Sequence, residues 1–308
     1  MNDNAFETLT RRSGDLEFTA LAAGPTDGPL VVFVHGFPDG PETFASQLTA
    51  FGAHGYRAIA PTLRGYEPSS VPADGDHSLI TLADDVAGWL DHLGVQAAHL
   101  VGHDWGAAIT YTAAARHPDR FTSASTMAVP PLPRIPQAVR RVPKQLVLSW
   151  YMTFFQLRWI SERAASARDH ALIAWFWKRW SPGYDLDEDA WVGLRKRFAE
   201  PGVLTSTLRY YRQNATPLLL MGLKTNEAMD LTTVEAPTLV LHGSDDGCMT
   251  PKLFSAVHDI AVEAGDFPGG LRREEVPGCG HFLHLEQPDE ISERILEHIV
   301  TSSAPGEG

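Results

Sequence analysis

Cysteine is scarce in this chain: only Cys248 and Cys279 occur in 308 residues. No disulfide framework holds the fold, free thiols are expected, and a reducing cytoplasm is the expected setting. Positive charge is also short, with 25 Lys+Arg against 38 Asp+Glu and a formal net charge of −13. That sign argues against nucleic acid or an anionic membrane as the main partner. No run of residues is long and apolar enough to span a bilayer, so stable membrane insertion is not expected. The opening residues MNDNAFETLTRRSGD lack a signal peptide's apolar stretch, which agrees with a cytoplasmic protein. No Cys/His cluster has zinc spacing, and GSDDG is too short for a calcium loop, so no metal is expected.

What is present is an ordinary globular composition, 44% hydrophobic and 20% charged, in a chain long enough to bury a full core. The final residues SSAPGEG are small and polar, and disorder is expected there. Strand and helix signals alternate over the first 130 residues. Residues 16–24, 30–36, 56–63, 99–104 and 122–129 read as strands, the 30–36 run continuously apolar and therefore buried on both faces. Residues 41–55, 78–94 and 105–118 read as helices, bounded by Pro41, Gly55, Gly94 and Pro118. Such alternation predicts a mostly parallel sheet with helices on both faces.

The pattern changes at Pro130. Residues 133–228 contain no buried-strand run, read as helical and aromatic, and include six of the eight tryptophans, from Trp150 to Trp191. Strands at 236–246 and 271–281 and a helix at 288–300 then resume the first pattern. The expected organisation is a core in two parts, 1–132 and 229–308, interrupted by a helical lid over 133–228.

Gly102-His103-Asp104-Trp105-Gly106 joins a buried strand to a helix. A G-x-nucleophile-x-G turn of this kind holds a nucleophile on a sharp strand-to-helix bend, with glycines allowing close backbone approach. The central residue is Asp, whose side chain could also merely cap the helix. As a nucleophile, a carboxylate needs no base and forms an alkyl ester, which suits attack on a saturated carbon. His35-Gly36-Phe37-Pro38 follows another buried strand, where this architecture supplies an oxyanion-hole N–H. The residue after the nucleophile supplies the second, so Phe37 and Trp105 are the candidate donors. Gly243-Ser244-Asp245-Asp246 and Gly278-Cys279-Gly280-His281 end the two late strands, in the chain order nucleophile, acid, histidine. Spacing alone leaves Asp245 and Asp246 both open.

Together HGFP, the Leu63-Arg64-Gly65-Tyr66 run, GHDWG, GSDD and GCGH resemble, in order and over almost the whole chain, the epoxide hydrolase family of the α/β-hydrolase fold. In that family the acid stands five residues before a proline, and Pro251 picks out Asp246. The resemblance implies two lid tyrosines that hold the epoxide oxygen, matched by Tyr151 and Tyr211, with Tyr210 the local competitor. It implies an ester on Asp104, hydrolysis by water activated through His281 and Asp246, and no cofactor. Trp105, Trp150, Phe154, Phe155 and Phe37 are the expected pocket residues, suiting a small apolar epoxide. Haloalkane and haloacid dehalogenases share the elbow. The former typically carry a polar residue at the Phe37 position, and fluoroacetate enzymes carry Arg at the Trp105 position. A departing alkoxide needs the donor that two phenols supply, whereas a halide leaves without a proton. A binder without turnover is the remaining alternative. A homodimer is left open, and the Trp175-Phe176-Trp177 run is expected inside the lid.

Overall fold

The computed structural model describes residues 6–303, so most of the SSAPGEG tail lies outside it. Eight strands form one sheet in the order β1-β2-β4-β3-β5-β6-β7-β8. β1 (Glu7–Ser13) and β2 (Leu16–Ala23) pair antiparallel, and β2 is antiparallel to β4 (Arg57–Pro61). From β4 onward β3 (Leu30–Val34), β5 (Ala98–His103), β6 (Phe121–Met127), β7 (Thr238–Gly243) and β8 (Leu271–Val276) pair in parallel. Strand alternation divides the core between the two faces. Val31 and Phe33 pack with α1 (Ala45–Ala53), while Val32 and Val34 pack with α2 (Leu79–Leu93) and α3 (Trp105–Arg116).

The expected helices form for the expected reasons. In α2 Leu79, Leu82, Ala83, Val86 and Leu90 make one buried stripe. The Ser78 side chain accepts from Thr81 N at its start, and Gly94 ends it at φ 67°. Residues 41–44 form a 3-10 turn ahead of α1. Between β6 and β7 the described residues contain helices and no strand. They are α4 (Ile135–Arg141), α5 (Lys144–Leu148), α6 (Trp150–Phe154), α7 (Ile160–Trp180), α8 (Glu188–Ala199), α9 (Val203–Asn214), α10 (Pro217–Leu220) and α11 (Glu227–Asp230). Non-helical backbone at Ala167–His170 breaks α7 into two pieces. After β7 come α12 (Pro251–Ala264), α13 (Leu283–Glu286) and α14 (Pro288–Ser303).

Two elements were not anticipated. β1 is an edge strand whose ETLTRRS side chains are mostly exposed or half-buried, so it lacks an apolar signature. α12 carries its own punctuation, Thr250 capping Leu253 N, Pro251 at its first position and Gly265 after its end.

The sheet brings three backbones together beneath the turn between β5 and α3. A Cβ on Gly106 would stand 1.8 Å from Val34 O, and one on Gly102 would stand 2.2 Å from Gly106 O. Neither neighbour is a flexible side chain, so the strain cannot be relieved locally. Gly106→Ala is expected to lower stability by more than about 3 kcal/mol, read as a large fall in thermal midpoint or loss of soluble protein. Gly193→Ala, in α8 with no atom within 4 Å of the new methyl, should instead be neutral or stabilising by up to about 1 kcal/mol. Equal midpoints for the two variants would contradict the close approach.

Candidate active site

Asp104 sits between β5 and α3 at φ 52° and ψ −117°, in the half of backbone space that side chains rarely adopt. Its side chain makes no helix-capping bond. Instead Phe37 N donates to Oδ1 at 2.8 Å. Gly36 permits the approach, since a Cβ there would lie 2.6 Å from that same oxygen. Trp105 opens α3, where its backbone N–H has no carbonyl of its own helix within reach.

The second oxygen, Oδ2, faces His281 Nε2 at 3.5 Å, and His281 Nδ1 meets Asp246 Oδ2 at 3.0 Å. Asp246 is buried, and its Oδ1 accepts from Cys248 N at 2.6 Å and Met249 N at 2.9 Å. Asp245 is exposed and bonded to Ser244. Tertiary structure thus brings Asp246, not Asp245, to the histidine. Burial opposes a charged His281, but the charges of Asp246 and then Asp104 outweigh it, raising its pKa to about 10.

Tyr151 and Tyr211 line one cleft with Asp104. Their rings lie 5.7 Å apart at 83°. The Tyr151 hydroxyl is 3.3 Å from Cys248 Sγ, and the buried Tyr211 hydroxyl has no partner at hydrogen-bond distance. Burial pushes both phenols well above their usual pKa, with Cys248 and Asp104 among the further causes. Tyr210 is committed elsewhere, donating to Arg64 O at 2.7 Å. Cys248 and Cys279 are free and buried, and burial raises the Cys248 thiol well above its usual value.

The cleft reaches Asp104, Trp105, Tyr151 and Tyr211. Most of its remaining wall is aliphatic, including Ile135, Val139, Leu219 and Met249, and no Lys or Arg lines it. Four of the expected pocket side chains are placed differently. Phe37 and Phe155 are fully buried and form the layer behind the phenols, with Phe155 4.9 Å and Phe37 5.4 Å from the Tyr211 ring. Phe154 packs on Phe155 and Trp150. Trp150 is 44% exposed and lies against Trp175. They pack against one another because the cleft opens toward α4 and α10, whose aliphatic residues carried no motif. Of the tryptophan run, Phe176 and Trp177 are interior and Trp175 is 45% exposed.

Several supporting residues were missed. Asp39 accepts from Gly36 N at 2.8 Å and meets His35 Nδ1 at 3.2 Å and His103 Nδ1 at 3.1 Å. Burial works against its charge, but His103 and His35 hold its carboxyl below the usual range. His103 Nε2 reaches His281 O at 3.0 Å, tying the turn, the Phe37 loop and the histidine loop together. Asp39 follows the HGFP motif directly and His103 lies inside GHDWG, so both were within view. Gln145 lines the cleft and donates to Cys248 O while accepting from Thr250 N. Two triplets, Asp39–His103–His284 and Asp246–Cys248–His281, gather metal-type ligand atoms within 4.8 Å. In each the carboxylate is already taken up by the hydrogen bonds just described.

Known proteins share this arrangement's frame. Residues 29–288 match the alpha/beta hydrolase fold family. An epoxide hydrolase of Caballeronia sordidicola is 31% identical over 304 residues, covering 90% of this chain and 89% of that protein. Epoxide hydrolase 3 of Mus musculus is 29% identical over 284 residues, covering 91% and 73%. The crystal structure of an epoxide hydrolase from Vigna radiata superposes with a TM-score of 0.78 at 25% identity, covering 98% of this chain and 100% of that one. The chain therefore belongs to the epoxide hydrolase family of the α/β-hydrolase fold.

Proposed function

We propose that the chain adds water to an apolar epoxide, giving a vicinal diol through a covalent ester on Asp104. One observation carries this reading. The Asp104 carboxylate is held by Phe37 N on one oxygen and faces His281 on the other, beneath two buried phenols. Oδ2 attacks a ring carbon, the C–O bond breaks, and the oxygen takes its electron pair and a proton from Tyr151 or Tyr211. Phenols with raised pKa values stay protonated and serve as donors, help worth about 10² to 10⁴ in rate. Oδ1 becomes the ester carbonyl oxygen, already at the Phe37 amide. The phenolate regains its proton from the protonated His281, which as a neutral base then takes a proton from water as that water adds to the carbonyl. The Phe37 and Trp105 amides hold the oxyanion, each worth about 3 kcal/mol. Collapse breaks the acyl C–O bond, the departing alkoxide takes the water-derived proton from His281 to complete the diol, and the Asp104 carboxyl returns its own proton to the imidazole.

The charge on Asp104 controls its partner. While it is ionised it helps keep His281 protonated; as an ester it is neutral, one of the two carboxylates is gone, and the imidazole loses its proton more readily. Alkylation thus turns His281 into a base when a base is needed. The 133–228 helices serve as the lid, and their aliphatic wall without Lys or Arg suits an uncharged substrate. No helix among the described residues is long and apolar enough to cross a membrane. Free, buried cysteines support a cytoplasmic setting.

The reaction class is tested with terminal and disubstituted epoxides, haloalkanes and fluoroacetate, assayed for diol and halide. Diol from at least one terminal epoxide is expected, with negligible halide. His281→Gln should react once and then stall, gaining the mass of one substrate on Asp104, whereas Asp104→Ala should gain none. Halide release without diol, or no adduct in His281→Gln, would overturn this reading.

Tyr151→Phe and Tyr211→Phe should each slow ester formation by up to about 10²-fold, because one phenol remains. The double variant should be far slower than either. Wild-type ester formation in the double variant would mean that the oxygen is held elsewhere.

In single-turnover kinetics the ester-hydrolysis phase should fall as pH falls, since protonated His281 cannot accept a proton from water. Its midpoint should lie well below the value of about 10 set by two carboxylates in the free enzyme. A midpoint at or above that value would contradict the charge control.

A further inference from the structure

The net charge of −13 conceals a division. Residues 133–228 carry 15 Lys+Arg against 8 Asp+Glu, a net +7, while all other residues carry 10 against 30, a net −20. Exposed apolar side chains follow the same division, since eleven of the thirteen large ones fall between Leu146 and Leu223. Scattered exposed hydrophobics are ordinary, but a contiguous group marks an interaction surface.

Such a group surrounds the cleft mouth. Leu146 lines the cleft and is also 44% exposed, so it stands where cleft meets solvent, and Val147 beside it is 72% exposed. Leu219 and Leu220 line the cleft, while their neighbours Leu218, Met221 and Leu223 are exposed. The second stretch also borders α4, because a Cβ on Gly222 would lie 3.2 Å from Pro136 and 3.7 Å from Arg140, and both stretches meet at the cleft that Leu146, Leu219 and Leu220 line. They also share one sign of charge. Residues 130–161 and 215–226 contain no Asp or Glu, and the first acids beyond the second stretch, Glu227 and Asp230 beside cleft-lining Met229, are bonded to Arg116 and Thr225. Arg140, Arg141, Lys144 and Lys224 are exposed there, and none has an ion-pair partner among the described residues. Elsewhere in the same segment Lys178, Arg197 and Arg212 pair with Asp185, Glu42 and Glu162, while Arg158, Arg163, Arg168 and Lys196 are further exposed cations that extend the positive surface.

From this juxtaposition we infer that the cleft mouth docks on an anionic lipid surface and takes its apolar substrate from the bilayer. The exposed leucines and Val147 enter the headgroup boundary, and the unpaired cations meet anionic headgroups. The acidic remainder is repelled, which turns the mouth toward the lipid. A second copy of the chain fits this face poorly, because a two-fold contact would set the same four unpaired cations against each other.

Vesicle sedimentation tests the inference and needs no turnover, so its failure is separate from failure of the epoxide reading. Binding to vesicles of phosphatidylcholine with phosphatidylglycerol is expected at low salt, with little binding to phosphatidylcholine alone. Salt of about 0.5 M should release the protein. Arg141→Glu with Lys144→Glu, and separately Val147→Asp with Leu223→Asp, should each weaken binding about ten-fold or more. None of these four residues lines the cleft, so hydrolysis of a water-dissolved epoxide should match wild type and verify folding. A polarity-sensitive dye on Val147→Cys should report an apolar setting when vesicles are added, the native cysteines being buried. No binding to anionic vesicles at low salt overturns the inference. So does binding that ignores both double variants and the dye. Dimerisation abolished by Val147→Asp with Leu223→Asp, without vesicle binding, overturns it in favour of a second copy.

Discussion

Everything in this site depends on one carboxylate being held out of a helix that would otherwise absorb it. An Asp before the first turn of a helix commonly caps that turn. Here the backbone at φ 52° turns the side chain away from α3, and Phe37 N takes Oδ1 at 2.8 Å. The bend exists because Gly36, Gly102 and Gly106 let the strand ends and the helix approach closer than any side chain permits. Strain at one residue is sustained by packing at three others, the usual economy of a functional turn.

Around that carboxylate the electrostatics are reciprocal. His281 lies between Asp246 and Asp104, and its proton is held by both. Asp246 is fixed by two backbone N–H groups, so its charge is constant through the proposed cycle. In that proposed cycle Asp104 is the variable partner, whose conversion to an ester would change what the imidazole can do. Beneath the turn, Asp39 and His103 bind the Phe37 loop to the His281 backbone, so Phe37 N and the imidazole keep one geometry.

The helical segment between β6 and β7 is built into this centre. Trp180 O accepts from both Gly247 N and His281 N, bracing the two loops that carry the acid and the histidine. Trp177 donates from Nε1 to Pro38 O at 2.8 Å and stacks on Phe282 at 3.6 Å. Trp177 and Trp180 therefore join segment to core, while Trp150, Phe154, Trp175 and Phe176 pack within the segment and most of the cleft wall is aliphatic.

Sequence alone determined whatever depends on local chemistry. Glycine spacing marked the turn at Asp104, apolar runs marked β3, β5 and β7, and chain order indicated the acid and histidine. Each signal is written in adjacent residues, because close backbone approach and double-sided burial constrain residue type directly. β1 escaped because Leu9 is the single apolar residue of ETLTRRS and no alternation marks the face it packs on the core, and α12 escaped although its caps were present. The choices among near neighbours belonged to tertiary structure. Asp246 over Asp245 and Tyr211 over Tyr210 are decided by which side chain the fold buries at the centre and which it bonds elsewhere. The aromatics Trp150, Phe154 and Phe155 looked like a pocket by type, yet the fold stacks them on each other and gives the cleft wall to plain aliphatics of α4 and α10. Residue type says that a side chain will be buried, and only the packing of distant segments says against what.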